Sequence, residues 1–246
     1  MNCVQQRMHY LALACDYDGT LATDGRVSDA TLAALKRLPV TGRKLILVTG
    51  RELPDLLAIF PPVLLFERVV AENGGLLYRP AEREEKRLAA PAPGPFVQEL
   101  RKRGVTPLAV GHSIVATHRP HETIVLETIR DLGLELHVIF NKDAVMVLPS
   151  GVNKATGLAA ALAELGLSPE QTVGIGDAEN DHAFLELCGC AAAVANALPA
   201  LKEKADIVTR AENGAGVTEL IEELVTNDLA GRQRRRNRVM GQKQDL

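Results

Sequence analysis

Two carboxylates two positions apart, Asp16 and Asp18, follow the apolar run Leu11-Ala12-Leu13-Ala14-Cys15 and precede the pair Gly19-Thr20. Carboxylates this close repel, and burying them unpaired is costly. A hard cation such as Mg²⁺ removes that cost, because it takes oxygen ligands. The segment also reads more plainly, as a strand-to-helix turn with an acidic N-cap and a glycine for an unusual backbone angle. An EF-hand loop is excluded, because Gly19 is misplaced for the D-x-[DN]-x-[DN]-G pattern.

Three further polar groups stand at comparable places. Thr49-Gly50-Arg51 ends the apolar segment Lys44–Val48, Lys154 opens a helix, and Asp177, Asn180 and Asp181 follow Thr172–Ile175. Each has a plain reading: Thr49 as an N-cap, Lys154 as a solvated helix residue, Asp177–Asp181 as a helix cap with surface charge. Taken together, in this order, they form a constellation able to converge on one ligand. In open α/β sheets, ligands bind outside the carboxyl ends of the strands.

The elements that would position these groups alternate. Short bounded apolar runs at Tyr10–Cys15, Lys44–Val48, Val69–Ala71, Thr172–Ile175, Ala191–Val194 and Asp206–Val208 predict buried strands. Between them lie helix patterns: one capped by Ser28 with Leu32, Leu35 and Leu38 on one face, one with Pro54 in its first turn, Ala155–Leu165, and a closing Val217–Leu224. Asn213-Gly214-Ala215-Gly216 reads as a loop. The alternation predicts an α/β fold with a doubly wound, parallel, Rossmann-like sheet.

The character changes from about Pro80. Residues 81–88 are charged, and Pro91, Pro93 and Pro95 mark a crossing. A helix at Phe96–Arg103, strands near Thr106–Val110 and Ser113–His118, a helix at His121–Leu132, and strands near Glu135–Phe140 and Ala144–Leu148 repeat the order αββ twice. The expected division is an extension at 1–9, a core at 10–80 and 149–226, an inserted α+β domain at 81–148, and a basic tail at 227–246.

Composition narrows the classes. The chain has 246 residues, 46% hydrophobic, 3% aromatic and without Trp, so a stacking platform for single-stranded nucleic acid is not expected. The net charge is −3, but without residues 230–246 the body carries 22 basic and 30 acidic side chains, about −8. Cys3, Cys15, Cys188 and Cys190 form no C-x-x-C pair and read as reduced thiols. With no long apolar stretch, the expected location is the cytoplasm. Gly151-Val152-Asn153-Lys154 lacks the P-loop pattern.

These motifs resemble the haloacid dehalogenase-like hydrolases, in the Cof-type or class IIB subgroup with a small type 2 cap. Asp16-x-Asp18-Gly19-Thr20, Thr49-Gly50-Arg51, Lys154 and Gly176-Asp177-x-x-Asn180-Asp181 match the four family motifs over about residues 10–225, and the insertion lies where the subgroup places its cap. The resemblance implies an Mg²⁺-dependent phosphatase acting on a small phosphate monoester, such as a sugar phosphate or phosphoglycolate. It implies Asp16 as nucleophile, Asp18 as general acid and base, and Thr49 and Lys154 as catalytic partners. Asp16, Asp18 through its carbonyl, and Asp177 would hold the metal, with Asp181 beside them. Gly50, Arg51, Asn73 and Asn180 fall on the phosphate side. His112, His118, Arg119, His121, Asn141 and Lys142 are the insertion's candidates for the leaving group, foremost His118 and Lys142, each equally readable as a solvated residue. The alternatives are a phosphomutase or phosphotransferase on sugar phosphates, and a non-catalytic phosphate sensor. The basic tail reads as a solvated terminus rather than a nucleic-acid site.

Overall fold

The computed structural model describes residues 8–231. The expectations for residues 1–7, with Cys3, and for the basic side chains Arg232 to Lys243 lie outside the described residues.

In chain order, β1 (Ala12–Cys15), α1 (Asp29–Val40), β2 (Lys44–Val48), α2 (Leu53–Ile59) and β3 (Arg68–Ala71) open the core, and β4 (Leu76–Arg79) and β5 (Glu84–Arg87) follow. The insertion then supplies α3 (Gly94–Lys102), β6 (Ala109–Val110), β7 (Val115–His118), α4 (Glu122–Asp131), β8 (Leu136–Asn141) and β9 (Ala144–Pro149). The core resumes with α5 (Lys154–Leu165), β10 (Thr172–Gly176), α6 (His182–Leu187), β11 (Cys190–Ala193), α7 (Pro199–Lys204), β12 (Ile207–Val208) and α8 (Asn213–Asn227).

The main sheet runs β12-β11-β10-β1-β2-β3-β4-β5. Every pair from β12 to β3 is parallel. β1 is central, paired with β10 and β2, and all four of its residues are buried. That is the environment an unbroken apolar run requires, since full burial stabilises each large apolar side chain by roughly 1.5–3 kcal/mol. α1 packs with α8 and α5 with α6, giving the expected Rossmann-like core.

Three boundaries differ from the sequence reading. Residues 81–88, expected in the insertion, belong to an antiparallel hairpin in which β5 pairs with β4 at the edge of the main sheet. All four β5 residues are charged and exposed, so no apolar pattern announces the strand. The segment read as a loop at Asn213–Gly216 is the first turn of α8. Its glycines are there for close packing: a Cβ at Gly214 would stand 2.4 Å from Thr31 Oγ1, and one at Gly216 2.4 Å from the Ala211 carbonyl oxygen. Finally, the chain stays packed beyond residue 227. Asp228 Oδ1 accepts from Arg43 Nη2 at 2.9 Å, and Leu229 is buried in the core.

The insertion forms a second sheet, β6-β7-β9-β8, antiparallel throughout. Successive residues of β9 face opposite sides, as the strand period demands. Val145 and Val147 join Phe96, Leu100 and Val125 in a core of its own, and Met146 and Leu148 pack with Ile114 on the other face.

Candidate active site

Asp16 is the first residue past β1, with its N–H on the Ile175 carbonyl of β10 at 3.0 Å. Lys154 opens α5 behind its N-cap Asn153, which accepts from Ala155 N and Thr156 N. That cap fixes where the helix starts and so where Lys154 points. Its ammonium is fully buried and donates to Asp16 Oδ1 at 2.5 Å and to Asp181 Oδ1 at 2.6 Å. Asp181 Oδ2 in turn accepts from the backbone N–H groups of Asp177, at 2.8 Å, and Ala178, at 2.9 Å. Both Asp181 oxygens are thus engaged by the protein, which suits an orienting role. Asp177 ends β10 with its Oδ1 on the Thr20 hydroxyl at 3.0 Å and its Oδ2 on Lys142 Nζ at 2.9 Å.

Gly19 lets the loop come this close. Its φ is +79°, and a Cβ there would stand 2.5 Å from Asp177 Oδ2.

Asp16, Asp177 and Asp181 offer oxygens within 4.8 Å of one another, all buried. Burial pushes the Asp16 carboxyl well above the usual carboxylate range, the Asp181 charge adds to this, and Lys154 opposes it. Asp177 is raised as well, first by burial, with Lys142 acting the other way. Burial alone would lower Lys154, but Asp16 and then Asp181 outweigh it and hold the ammonium charged. Three carboxylates against the buried Lys154 and the more exposed Lys142 still leave negative charge in excess, and the ligand atoms they offer are all oxygen. A divalent hard cation fits this donor set in both charge and type.

Asp18 stands apart from the cluster. Its carboxylate takes a two-pronged pair from Arg51, Nε to Oδ2 at 2.7 Å and Nη2 to Oδ1 at 2.8 Å, while Arg51 Nη1 also binds Asp55. Thr49 is fully buried, and its hydroxyl accepts from the Arg51 N–H at 3.1 Å, setting the turn that carries Gly50 and Arg51. Asn180 Nδ2 donates to Asn73 Oδ1 at 3.1 Å, and a Cβ at Gly50 would stand 3.7 Å from the first and 3.9 Å from the second. Asn73 Nδ2 and Asn180 Oδ1 are left buried without a partner, an arrangement that in a native site calls for a ligand or water.

A cleft of about 1010 Å³ separates core and insertion. Asp16, Asp18, Gly50 and Arg51 line it from the core, and Ile114, His118, Asn141, Lys142 and Met146 from the insertion. Of the insertion's six candidates, His118, Asn141 and Lys142 face the cleft and three do not. His121 Nε2 meets the Thr106 carbonyl at 3.0 Å, Arg119 stacks over Phe140 at 5.4 Å, and His112 gives its N–H to Glu72.

Glu72 is the residue sequence reasoning missed. It is 2% exposed, and its carboxylate accepts backbone N–H groups of His112 at 2.9 Å, Ser113 at 2.7 Å and Ile114 at 3.3 Å, plus the Ser113 hydroxyl at 3.2 Å. It clamps the β6–β7 turn of the insertion to the core. Its place beside Asn73 in the Glu72-Asn73-Gly74-Gly75 turn was the one signal available. Thr20, named in the first motif without a role of its own, joins the site through Asp177, and Met146 lines the cleft without having been singled out.

A parallel sheet whose central strand ends in this carboxylate and lysine cluster, with an inserted α+β domain closing the cleft above it, defines a capped α/β enzyme core. The profile of the haloacid dehalogenase-like hydrolases matches residues 13–99 and 125–221, and the chain belongs to that family. Phosphoglycolate phosphatase of Methanothermobacter thermautotrophicus is 34% identical over 216 residues, covering 85% of this chain and 96% of the relative. Phosphoglycolate phosphatase of Halorubrum lacusprofundi is 34% identical over 206 residues, covering 80% and 89%. Among solved structures, a haloacid dehalogenase-like hydrolase from Bacteroides thetaiotaomicron superposes with a TM-score of 0.74 at 20% identity, covering 87% of this chain and 99% of the other. A subclass IIB sugar phosphatase of the same superfamily gives 0.72 at 20%, covering 87% and 98%. The Cof-type fold, core and cap together, is therefore present. No described helix is long and apolar enough to cross a membrane.

Proposed function

We infer that the protein is an Mg²⁺-dependent phosphatase that hydrolyses a small phosphate monoester, of the phosphoglycolate or sugar phosphate kind, through a phosphoryl group carried on Asp16. The observation that carries this reading is the buried trio Asp16, Lys154 and Asp181 at the end of β1, open to the cleft only through Asp16. The names of the two relatives cited above, both phosphoglycolate phosphatases, point the same way.

In this reading Asp16 attacks phosphorus, forming an O–P bond as the ester oxygen departs. Lys154 stays protonated throughout and meets charge on the phosphoryl oxygens. The Thr49 hydroxyl, which accepts from Arg51 N, can still donate its own hydrogen to a phosphoryl oxygen, and the unpartnered Asn73 Nδ2 is a second donor. Asp18, oriented by Arg51, protonates the leaving oxygen and then takes a proton from the water whose oxygen attacks phosphorus, breaking the Asp16 O–P bond and releasing inorganic phosphate. Asp16, Asp177 and the carbonyl of Asp18 would hold Mg²⁺, with Asp181 fixing Lys154 and the Asp177 turn. Bound there, the ion supplies Lewis-acid charge against the phosphoryl oxygens and keeps Asp16 ionised. A sensor would need neither Asp18 nor a nucleophile beside a protonated lysine.

Phosphate release from a panel of phosphorylated small molecules, with Mg²⁺ and with EDTA, tests the reading. Mg²⁺-dependent release from at least one ester is expected. A folded protein that binds Mg²⁺ and releases phosphate from none would overturn it.

A further inference from the structure

One hairpin sets the polar part of the insertion's wall. β8 and β9 meet at Lys142-Asp143, and Lys142 has φ of +53°, a conformation that residues other than glycine seldom adopt. The turn sends the ammonium out of its own domain onto Asp177 Oδ2 at 2.9 Å, and the Lys142 N–H lies 3.3 Å from Glu179 Oε2. The lysine also feels the charge of Asp16. Of the described residues lining the cleft, only Arg51 and Lys142 carry a permanent positive charge. Arg51 is committed to Asp18 and Asp55. Lys142 has one ion pair among the described residues, to Asp177, an oxygen donor that the candidate cation site also claims.

A cation on Asp177 competes with the ammonium for that oxygen. The lysine, still carried over the cleft by its turn, then requires another anion. Lys154 already serves the phosphoryl side from below. The rest of the insertion's wall carries no other permanent positive charge: Ala109, Ile114, Ala116, Ala144 and Met146 are apolar, and Thr117, His118 and Asn141 add hydrogen-bonding groups but no fixed cation, so Lys142 is the wall's countercharge for an anion. The rim is acidic, with Asp24, Glu52, Asp55 and Asp143, so a negatively charged leaving group is tolerated there only beside a countercharge.

We propose that Lys142 is the specificity-determining residue, and that it selects phosphate esters whose leaving group bears a carboxylate close to the ester oxygen, the phosphorylated α-hydroxy acids. This rests on the phosphatase reading and narrows its substrate class. Lys142 binds the leaving group's carboxylate and transfers no proton.

The experiment compares three esters of similar size that differ in the charge of the leaving group: 2-phosphoglycolate, 2-hydroxyethyl phosphate and phosphoethanolamine. In Lys142→Met, the ratio of kcat/KM for 2-phosphoglycolate to that for 2-hydroxyethyl phosphate falls roughly 10–100-fold, the scale of one charge-assisted hydrogen bond. Lys142→Glu shifts preference toward phosphoethanolamine, and Lys142→Arg retains most of the original ratio. Binding of 2-phosphoglycolate to Asp16→Asn protein, with and without Lys142→Met, reads the same contact by calorimetry with no turnover. Ratios and affinities that move less than about threefold would overturn the assignment, because a charge-assisted contact is worth more than that. If the wild type hydrolyses no ester, the phosphatase reading fails and the calorimetric comparison alone decides the role of Lys142.

Discussion

Replacing Glu72 by alanine tests how the insertion is held over the cleft. The carboxylate is 2% exposed and serves three backbone N–H groups and one hydroxyl of residues 112–114. Two of these bonds are short, at 2.9 and 2.7 Å, and the 3.3 Å contact is weak. Each buried donor left without an acceptor costs about 1–3 kcal/mol, with water entering the space offsetting part of it. A loss of roughly 2–5 kcal/mol follows, and at about 2–4 °C per kcal/mol for a chain of this size the Tm drops by roughly 5–15 °C. Thermal melts followed by circular dichroism give the shift. Amide exchange at His112 and Ser113 shows whether that turn is where the loss occurs, and Glu72→Gln, which keeps one acceptor oxygen, should fall between the two. Because Ile114 lines the cleft, KM should rise in Glu72→Ala by more than kcat falls. A Tm within about 2 °C of wild type with undiminished protection at residues 112–113 would refute the clamp, since that shift corresponds to under about 1 kcal/mol.

Other outcomes follow from single contacts. Asp18→Asn should lower turnover by about 10²–10⁴-fold while leaving metal binding intact, because it removes proton transfer and spares the buried cluster; kinetics and calorimetry check the two halves. Glu164 accepts from Arg79, Lys86 and Arg68, Arg79 foremost, which brings its carboxyl down to about 2. A carboxyl lowered on folding stabilises the fold above its unfolded value, about 4.3, and the contribution disappears as the pH falls toward 2. Glu164→Gln should therefore be less stable than wild type at pH 7, with the gap closing in acid, as urea melts at several pH values would show. Ending the chain after Gly231 should leave Tm and activity unchanged. Ending it after Asn227 strips Asp228 from the buried Arg43, a loss of roughly 3–5 kcal/mol for a broken buried pair, together with the packing of Leu229.

Much of this architecture was legible because its residues obey local rules. The run ending in Asp16 is apolar throughout because β1 is covered on both faces and both edges, and nothing but the carboxylate interrupts it. The repeated αββ order showed itself because β9 alternates between two apolar faces. The misses have physical causes of the opposite kind. β5 is an exposed edge strand, where charge guards against pairing with other chains and so erases the strand pattern. The glycines opening α8 mimic a loop, although Gly214 is there to let α1 approach and Gly216 to let the chain at Thr209 and Ala211 approach. The Glu72 contact joins residues some forty positions apart, and neither its acceptor nor its donors has a local signature. Lys142 was legible as a polar turn residue, but its reach to Asp177 depends on how the insertion folds back over the core.

The central claim is that the phosphoryl group passes through Asp16, and the direct measurement is mass spectrometry of peptides from protein quenched in acid during turnover with Mg²⁺ and an ester substrate. The account predicts the added mass of one phosphoryl group on the peptide carrying Asp16, absent with EDTA, and no turnover in Asp16→Asn. An Asp16→Asn protein that still releases phosphate at the wild-type rate, with no phosphorylated peptide in either protein, would contradict it.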